Sequence, residues 1–154
     1  MFRQMLIPAV ALVLTAFTAP LLAGETQAPN HTTALGLAGY SPVSYFADAG
    51  PHVGSPEFAA THDGVTYFFA DADELSIFEA DPERYAPAYG GWCAYGMAVD
   101  NYFPVNPKLY KIVDGRLFLF LNNDQANALE LWNAGDEAEL TQKADAFWTA
   151  ENAE

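Results

Sequence analysis

Two Asp-Gly pairs determine the architecture of this chain more firmly than any other feature of its sequence. Residues 58–62 and 65–70 flank Asp63-Gly64, and residues 111–113 and 116–121 flank Asp114-Gly115. The runs after each pair, VTYFFA and RLFLFL, are rich in the aromatic and branched side chains that favour strands. An Asp-Gly pair readily adopts the positive φ angles of a two-residue type I′ turn. The chain therefore predicts two antiparallel β-hairpins.

The strand after the second pair is apolar on both faces. Leu117, Leu119 and Leu121 alternate with Phe118 and Phe120. Because successive side chains of a strand point to opposite faces, neither face of this strand is suited to water. We expect the second hairpin to lie at the centre of a covered sheet.

Helix signals follow each hairpin. Asp71-Ala72-Asp73-Glu74 has the form of a capping box, and Asp81-Pro82 ends that helix and opens a short one. Residues 124–132 predict a further helix that stops at Gly135, and residues 136–139 cap a final one. No internal sequence repeat is apparent. The prediction is an α+β fold, a small antiparallel sheet from two Asp-Gly hairpins packed against several short helices.

The N-terminal residues 1–23 have the pattern of a secretory signal peptide. Arg3 precedes an apolar run over residues 5–22, and Ala23-Gly24 supplies small residues at a cleavage site. An uncleaved anchor is the alternative, since the run approaches the roughly 20 residues that span a bilayer. We expect cleavage, a periplasmic or secreted protein, a flexible leader over residues 24–38 and one domain over residues 39–150.

The chain is strongly acidic. It has 20 Asp and Glu against 6 Lys and Arg, a net charge of −14. Such a field repels phosphate backbones and anionic lipid headgroups. We therefore expect no nucleic-acid partner and, after signal cleavage, no membrane partner. The acidity by itself indicates only solubility.

Seven segments of the chain, taken in order, resemble the YHS-domain family. They are residues 39–46 (GYSPVSYF), 54–58 (GSPEF), 63–70 (DGVTYFFA), 78–87 (FEADPERYAP), 89–95 (YGGWCAY) and 111–119 (KIVDGRLFL), with Lys143-Ala144-Asp145 and Trp148 as the last. The resemblance implies a metal-handling module of the treble-clef type, of which some relatives accompany copper transporters. Those relatives carry paired cysteines where this chain has Ser41, Ser44, Phe69 and Ala70. A metal site here would therefore have to be a different one.

The only cysteine, Cys93, is the natural centre of such a site. If residues 93–99 are helical, Met97 lies on the same face as Cys93, and thiolate with thioether suits Cu(I). His62 is the histidine best placed to complete the ligand set, and Gly90-Gly91 would direct backbone N–H groups at the sulfur and lower its pKa. The alternative is a buried, inert Cys93, the commonest state of a lone cysteine. A catalytic Cys93 would need a base beside it.

Five aromatic residues predict a pocket around Cys93. They are Tyr67, Tyr85, Tyr89, Trp92 and Tyr95. Each joins an apolar body to a polar tip and serves equally well in a core. We expect an exported, non-catalytic protein that binds copper or a small ligand at this aromatic site. The alternatives are a structural module that docks a protein partner, with Cys93 inert, and a thiol-dependent enzyme.

Overall fold

The computed structural model describes residues 35–153, so the predicted signal peptide and most of the predicted leader lie outside the described residues. Residues 35–38, which the sequence predicts to belong to the leader, pack as part of the domain. Gly36 and Leu37 are buried, and Leu35 pairs with Thr66. The domain therefore extends further toward the N-terminus than the predicted start at residue 39.

The fold is α+β, as predicted. The strands are β1 (Ser55–His62), β2 (Val65–Phe69), β3 (Asn106–Val113) and β4 (Arg116–Phe120). The α-helices are α1 (Ala72–Ala80), α2 (Pro82–Tyr85), α3 (Ala94–Ala98), α4 (Ala128–Ala134) and α5 (Glu137–Glu151). Short 3-10 turns cover Gly36–Gly39, Val43–Phe46 and Ala88–Gly91.

Both predicted hairpins are present and antiparallel. β1 pairs with β2 and β3 with β4, each pair forming its own two-stranded sheet with a bulge in its first strand. φ is positive at both residues of each connecting pair, 48° and 75° at Asp63-Gly64 and 49° and 76° at Asp114-Gly115. Both Asp-Gly pairs thus have the positive φ angles that a two-residue turn between twisted strands requires.

β4 is covered on both faces, as its sequence predicts, but its hairpin forms a separate two-stranded sheet and does not lie at the centre of a larger one. Phe118 and Phe120 belong to one buried group, the Cys93 cluster, which also contains Cys93, Met97 and Trp132. Leu117 and Leu119 belong to the other, the Phe78 cluster, with Tyr67, Phe69 and Phe78. β4 is therefore the element that the two cores share.

Side-chain caps fix the helix starts. Asp71 and Asp136 accept hydrogen bonds from the backbone N–H groups of Glu74 and Glu139, as the sequence predicts. The helix predicted over residues 124–132 begins later, at Ala128. Its start shifts because Asn123 accepts from the N–H groups of residues 125 and 126 and holds a turn there. Asn127 then caps α4.

Two turns in the structure have the same left-handed backbone. In the first left-handed turn, Gly36–Gly39, φ and ψ are 54° and 25° at Leu37 and 51° and 32° at Ala38. In the second, Ala88–Gly91, they are 55° and 35° at Tyr89 and 57° and 22° at Gly90. Consecutive residues of this kind are costly for L-amino acids, so their recurrence is not a by-product of ordinary loops.

The same order of elements follows each turn. A short helical segment comes first, then a bulged hairpin closed by Asp-Gly, then a capped helix. The residue before each turn pairs in parallel with the second strand of that hairpin, Leu35 with Thr66 and Pro87 with Leu117. The domain thus contains two copies of one arrangement, the first repeat (residues 35–85) and the second repeat (residues 87–151).

The repeat is one of backbone arrangement and is not apparent in the sequence. The two copies share a backbone pattern but few side chains, chiefly the closing Gly39 and Gly91 and the two Asp-Gly pairs. Glycines and turn residues are fixed by backbone conformation, whereas core positions accept many apolar residues of suitable volume. Similarity of fold therefore leaves little similarity of sequence.

Candidate functional site

Cys93 lies in the core rather than in a recess. It is the N-cap of α3 and has no solvent exposure. Its Sγ accepts hydrogen bonds from the backbone N–H groups of Leu121 (3.3 Å) and Gly96 (3.5 Å), not from Gly90-Gly91. Burial outweighs these bonds and raises the pKa of the thiol, opposite to the expected lowering. Cys93 is therefore a neutral, packed side chain.

The three residues proposed as copper ligands do not form one site. Met97 is fully buried in the Cys93 cluster. His62 instead has its Nε2 3.5 Å from a carboxylate oxygen of Asp63 and its ring edge-on to Phe78, on the other side of β4. Within residues 35–153, no group of three or more His, Cys, Asp or Glu side chains is arranged to hold a metal ion. The described donors thus provide no ligand set around the sulfur.

The five predicted pocket residues divide between the two clusters: Tyr89, Trp92 and Tyr95 belong to or pack against the Cys93 cluster, and Tyr67 and Tyr85 belong to or pack against the Phe78 cluster. Tyr67 packs on Phe78, Tyr85 on Phe46, Tyr89 on Phe118 and Trp92 on Tyr102, while Tyr95 is half-buried against the Cys93 cluster. Each ring thus packs against other side chains as part of a core. They do not enclose a common space around Cys93.

A cleft of about 270 Å³ lies instead between the two repeats, and we call it the inter-repeat cleft. The two left-handed turns contribute to its wall, with Leu37 and Ala38 from the first and Gly90-Gly91 from the second. Its apolar side chains include Leu35, Leu37, Val65, Tyr67, Val105 and Leu119. Ala38 and Pro104 are exposed and mark its mouth.

Two of these wall positions show why the cleft keeps its shape. A Cβ on Gly36 would lie 2.3 Å from Cε1 of Tyr67, so the first turn packs directly on that ring. Val105 contacts both the Cys93 cluster and the Phe78 cluster. Tyr67 is the one predicted pocket residue that lines this cleft. Sequence reasoning missed the others because the walls come from both repeats and the repeat itself was not visible.

A second cavity adjoins the first, the charged depression, with a volume of about 330 Å³. It shares Val65, Pro87 and Gly90 with the inter-repeat cleft. Its other walls carry polar groups and rings: His62, Asp63, Glu83, Tyr89, Arg116 and Trp148. An apolar space and a charged one therefore lie on either side of the segment that carries the second left-handed turn.

Arg116 in this depression is held by Asp145 of α5. Its two terminal nitrogens donate to both oxygens of the carboxylate, at 2.9 and 3.1 Å, and its guanidinium lies over the Tyr89 and Phe118 rings. Tyr89 Oη donates to the same carboxylate at 2.8 Å. Against the effect of burial, these hydrogen bonds lower the pKa of Asp145. Burial and the bond to Asp145 raise the pKa of Tyr89.

Comparison with family models, with curated proteins and with solved structures gives no match for this chain. The resemblance to the YHS-domain family stays a prediction from the sequence. Among residues 35–153, no helix has the length and apolar character needed to cross a membrane.

Proposed function

We propose that this protein is a non-catalytic binding protein that holds a small, largely apolar molecule in the inter-repeat cleft. The observation that carries the proposal is the cleft itself, an open space with mostly apolar walls between the two repeats. Small-molecule sites are concave and mostly apolar, with a few polar groups nearby that set orientation. The volume of the cleft corresponds to a small ligand.

Cys93 has a structural role in this proposal. A catalytic thiol must reach its substrate and needs a base within hydrogen-bond distance. Cys93 has no exposure, and its sulfur is engaged by the N–H groups of Gly96 and Leu121. These contacts support the inert alternative for Cys93 and argue against the thiol-dependent enzyme and the copper site.

We also propose that the chain is an exported YHS-like protein. The signal-peptide pattern of residues 1–23 supports export. The YHS-like segments support the family, because they fall on or next to the elements that define the repeats. Residues 63–70 and 111–119 lie on the hairpins, residues 89–95 include part of the second left-handed turn, and residues 39–46 begin at the last residue of the first.

The test is a titration of the protein with 1-octanol in an isothermal titration calorimeter. We expect saturable one-to-one binding to the native protein. In Val105→Phe the larger side chain fills the cleft, and binding should weaken at least about tenfold. A loss of about 1.4 kcal/mol of binding free energy is enough for a tenfold loss of affinity. Val53→Phe is the matched control, because Val53 is exposed and lies outside the cleft. Circular dichroism verifies that both variants are folded.

Two outcomes would contradict the proposal. One is binding that Val105→Phe leaves unchanged in a folded protein. The other is the absence of saturable binding to the native protein, which would favour the alternative of a structural module that docks a protein partner.

A further inference from the structure

The charged depression carries more negative charge than the residues of its wall suggest, because its one cationic side chain is already paired. Arg116 is the one Arg or Lys among its walls, and Asp145 already binds both of its terminal nitrogens. Asp63 and Glu83 remain. The Asp63 side chain is 84% exposed with a carboxylate oxygen 3.5 Å from His62 Nε2, and within the described residues no ion pair is found for Glu83. The open side of the depression therefore carries uncompensated negative charge.

One ring of the depression suits a cationic ligand group. Trp148 lines the depression beside the carboxylates, whereas the Tyr89 ring is buried and Arg116 already lies over it. Aromatic faces attract cations, and ammonium groups with adjoining methylenes bind well where rings and carboxylates occur together. The protein as a whole has a net charge of −14, which draws cations toward its surface.

The two cavities are placed to act on one molecule. They share Val65, Pro87 and Gly90, so the apolar walls of the inter-repeat cleft end where the polar walls of the charged depression begin. A ligand with an apolar body and a charged end would match both. Because the unpaired charge in the depression is negative, the charged end of the ligand should be a cation.

We propose that the ligand of this protein is an amphipathic amine, with its apolar body in the inter-repeat cleft and its ammonium group in the charged depression between Asp63, Glu83 and Trp148. This inference rests on the proposed function, because it assigns a chemical class to the molecule held in the same cleft. On binding, the ammonium group replaces contacts with water by contacts with carboxylate oxygens and an aromatic ring. The protonated amine is therefore the form that binds.

The experiment compares octylamine with 1-octanol at pH 7 by isothermal titration calorimetry. Octylamine is expected to bind more tightly than 1-octanol. Each carboxylate is exposed, so each contributes only about three- to fivefold. The double variant Asp63→Asn, Glu83→Gln should therefore bind octylamine about tenfold more weakly than the native protein does, and its affinity for 1-octanol should be unchanged. Added salt should weaken octylamine binding selectively.

The second hairpin offers a matched control. Asp63→Asn keeps a residue that tolerates positive φ at the turn. Asp114 occupies the same turn position in the second repeat and lies outside both cavities. Asp114→Asn removes one equivalent negative charge, and octylamine binding is expected to stay unchanged.

The outcomes separate the two proposals. If 1-octanol binds and Val105→Phe abolishes it, but octylamine binds no more tightly, the amine inference is wrong and the apolar site stands. Octylamine binding that Val105→Phe leaves intact would also overturn the inference, since the two cavities would not act on one molecule. If neither compound binds, both proposals are wrong.

Discussion

At the scale of single residues, Cys93 is explained by packing rather than by chemistry. Its sulfur fills the space between α3 and the end of β4 and accepts two backbone hydrogen bonds there. Ser41 follows Gly39 of the first turn by two residues, as Cys93 follows Gly91 of the second. It is also fully buried, and its hydroxyl has no partner in the described structure. The positions correspond in the two repeats, and sulfur meets the apolar surroundings better than oxygen does.

We predict that the Cys93 thiol is unreactive in the native protein. Burial raises its pKa, so the reactive thiolate forms less readily than that of an exposed cysteine. A thiol reagent at pH 8 should label Cys93 at the rate of unfolding, and urea should accelerate labelling in step with loss of structure. Rapid labelling of fully folded protein would contradict this prediction.

Ala38 provides a second prediction at this scale. It is exposed, with φ at 51°, whereas the corresponding residue of the second repeat is Gly90. Left-handed backbone costs a non-glycine residue about 1–2 kcal/mol, partly offset by the greater freedom of glycine in the unfolded chain. Ala38→Gly should therefore raise the free energy of unfolding by about 0.5–1 kcal/mol in urea titrations.

The converse substitution is the control for Ala38. Gly90→Ala should lower the free energy of unfolding by a similar amount, since it introduces a Cβ at φ 57°. Equal effects of the two substitutions, in the same direction, would contradict the assigned turn conformation.

At the scale of elements, α5 is tied to β4 by the contact of Asp145 with Arg116 and Tyr89. Both charged side chains are partly exposed, so the pair is worth much less than a buried one. The carboxylate nevertheless receives three hydrogen bonds, and Tyr89 stacks against Phe118 and Trp148. The contact therefore orients α5 against the second left-handed turn.

This contact predicts a pH dependence of stability. The folded pKa of Asp145 is lowered from its ordinary value of 3.8, so its contribution is fully present above that pH and is lost as the pH falls through the folded pKa. Asp145→Asn should cost about 1 kcal/mol at neutral pH, a figure reduced for exposure. The difference from the native protein should shrink below pH 3.8.

The control lies on the same helix. Glu139 pairs with Lys143 on the exposed face of α5, without further partners for that carboxylate in the described structure. Glu139→Gln should leave the free energy of unfolding unchanged within error. An equal loss in both variants would show that α5 responds to any lost charge rather than to the Asp145 contact.

Local chemistry explains which elements could be predicted. Asp63-Gly64 and Asp114-Gly115 define their turns by themselves, and the alternation from Leu117 to Phe120 defines a strand that is covered on both faces. The start of α4 could not be placed in the same way, because the Asn123 side chain and helix formation compete for the same backbone N–H groups. Such competition depends on structure around the segment.

At the scale of the whole molecule, the repeats share a core. Leu117 and Leu119 of the second repeat pack in the Phe78 cluster of the first, and Tyr45 Oη donates to the carbonyl of Pro107 at 2.7 Å. The inter-repeat cleft lies at this junction. It could not be predicted from the sequence, because Leu35, Tyr67, Val105 and Leu119 come together only once both repeats have folded.

We therefore predict that the domain unfolds as one unit. Leu119→Ala should lower the free energy of unfolding by about 2–5 kcal/mol, since Leu119 is almost fully buried. Tryptophan fluorescence reports the second repeat, because Trp92, Trp132 and Trp148 all lie there, and far-ultraviolet circular dichroism reports both. The two transitions should coincide in urea. Separate transitions would show that the repeats are independent.

The most direct test of the account is nuclear magnetic resonance of the protein during titration with 1-octanol. The inter-repeat cleft, not the surroundings of Cys93, is the predicted site. Backbone amide signals of Leu37, Tyr67, Val105 and Leu119 should shift with one saturation curve, while those of Met97 and Ala98 in α3 remain in place. Shifts confined to α3, or none at saturating probe, would contradict the account.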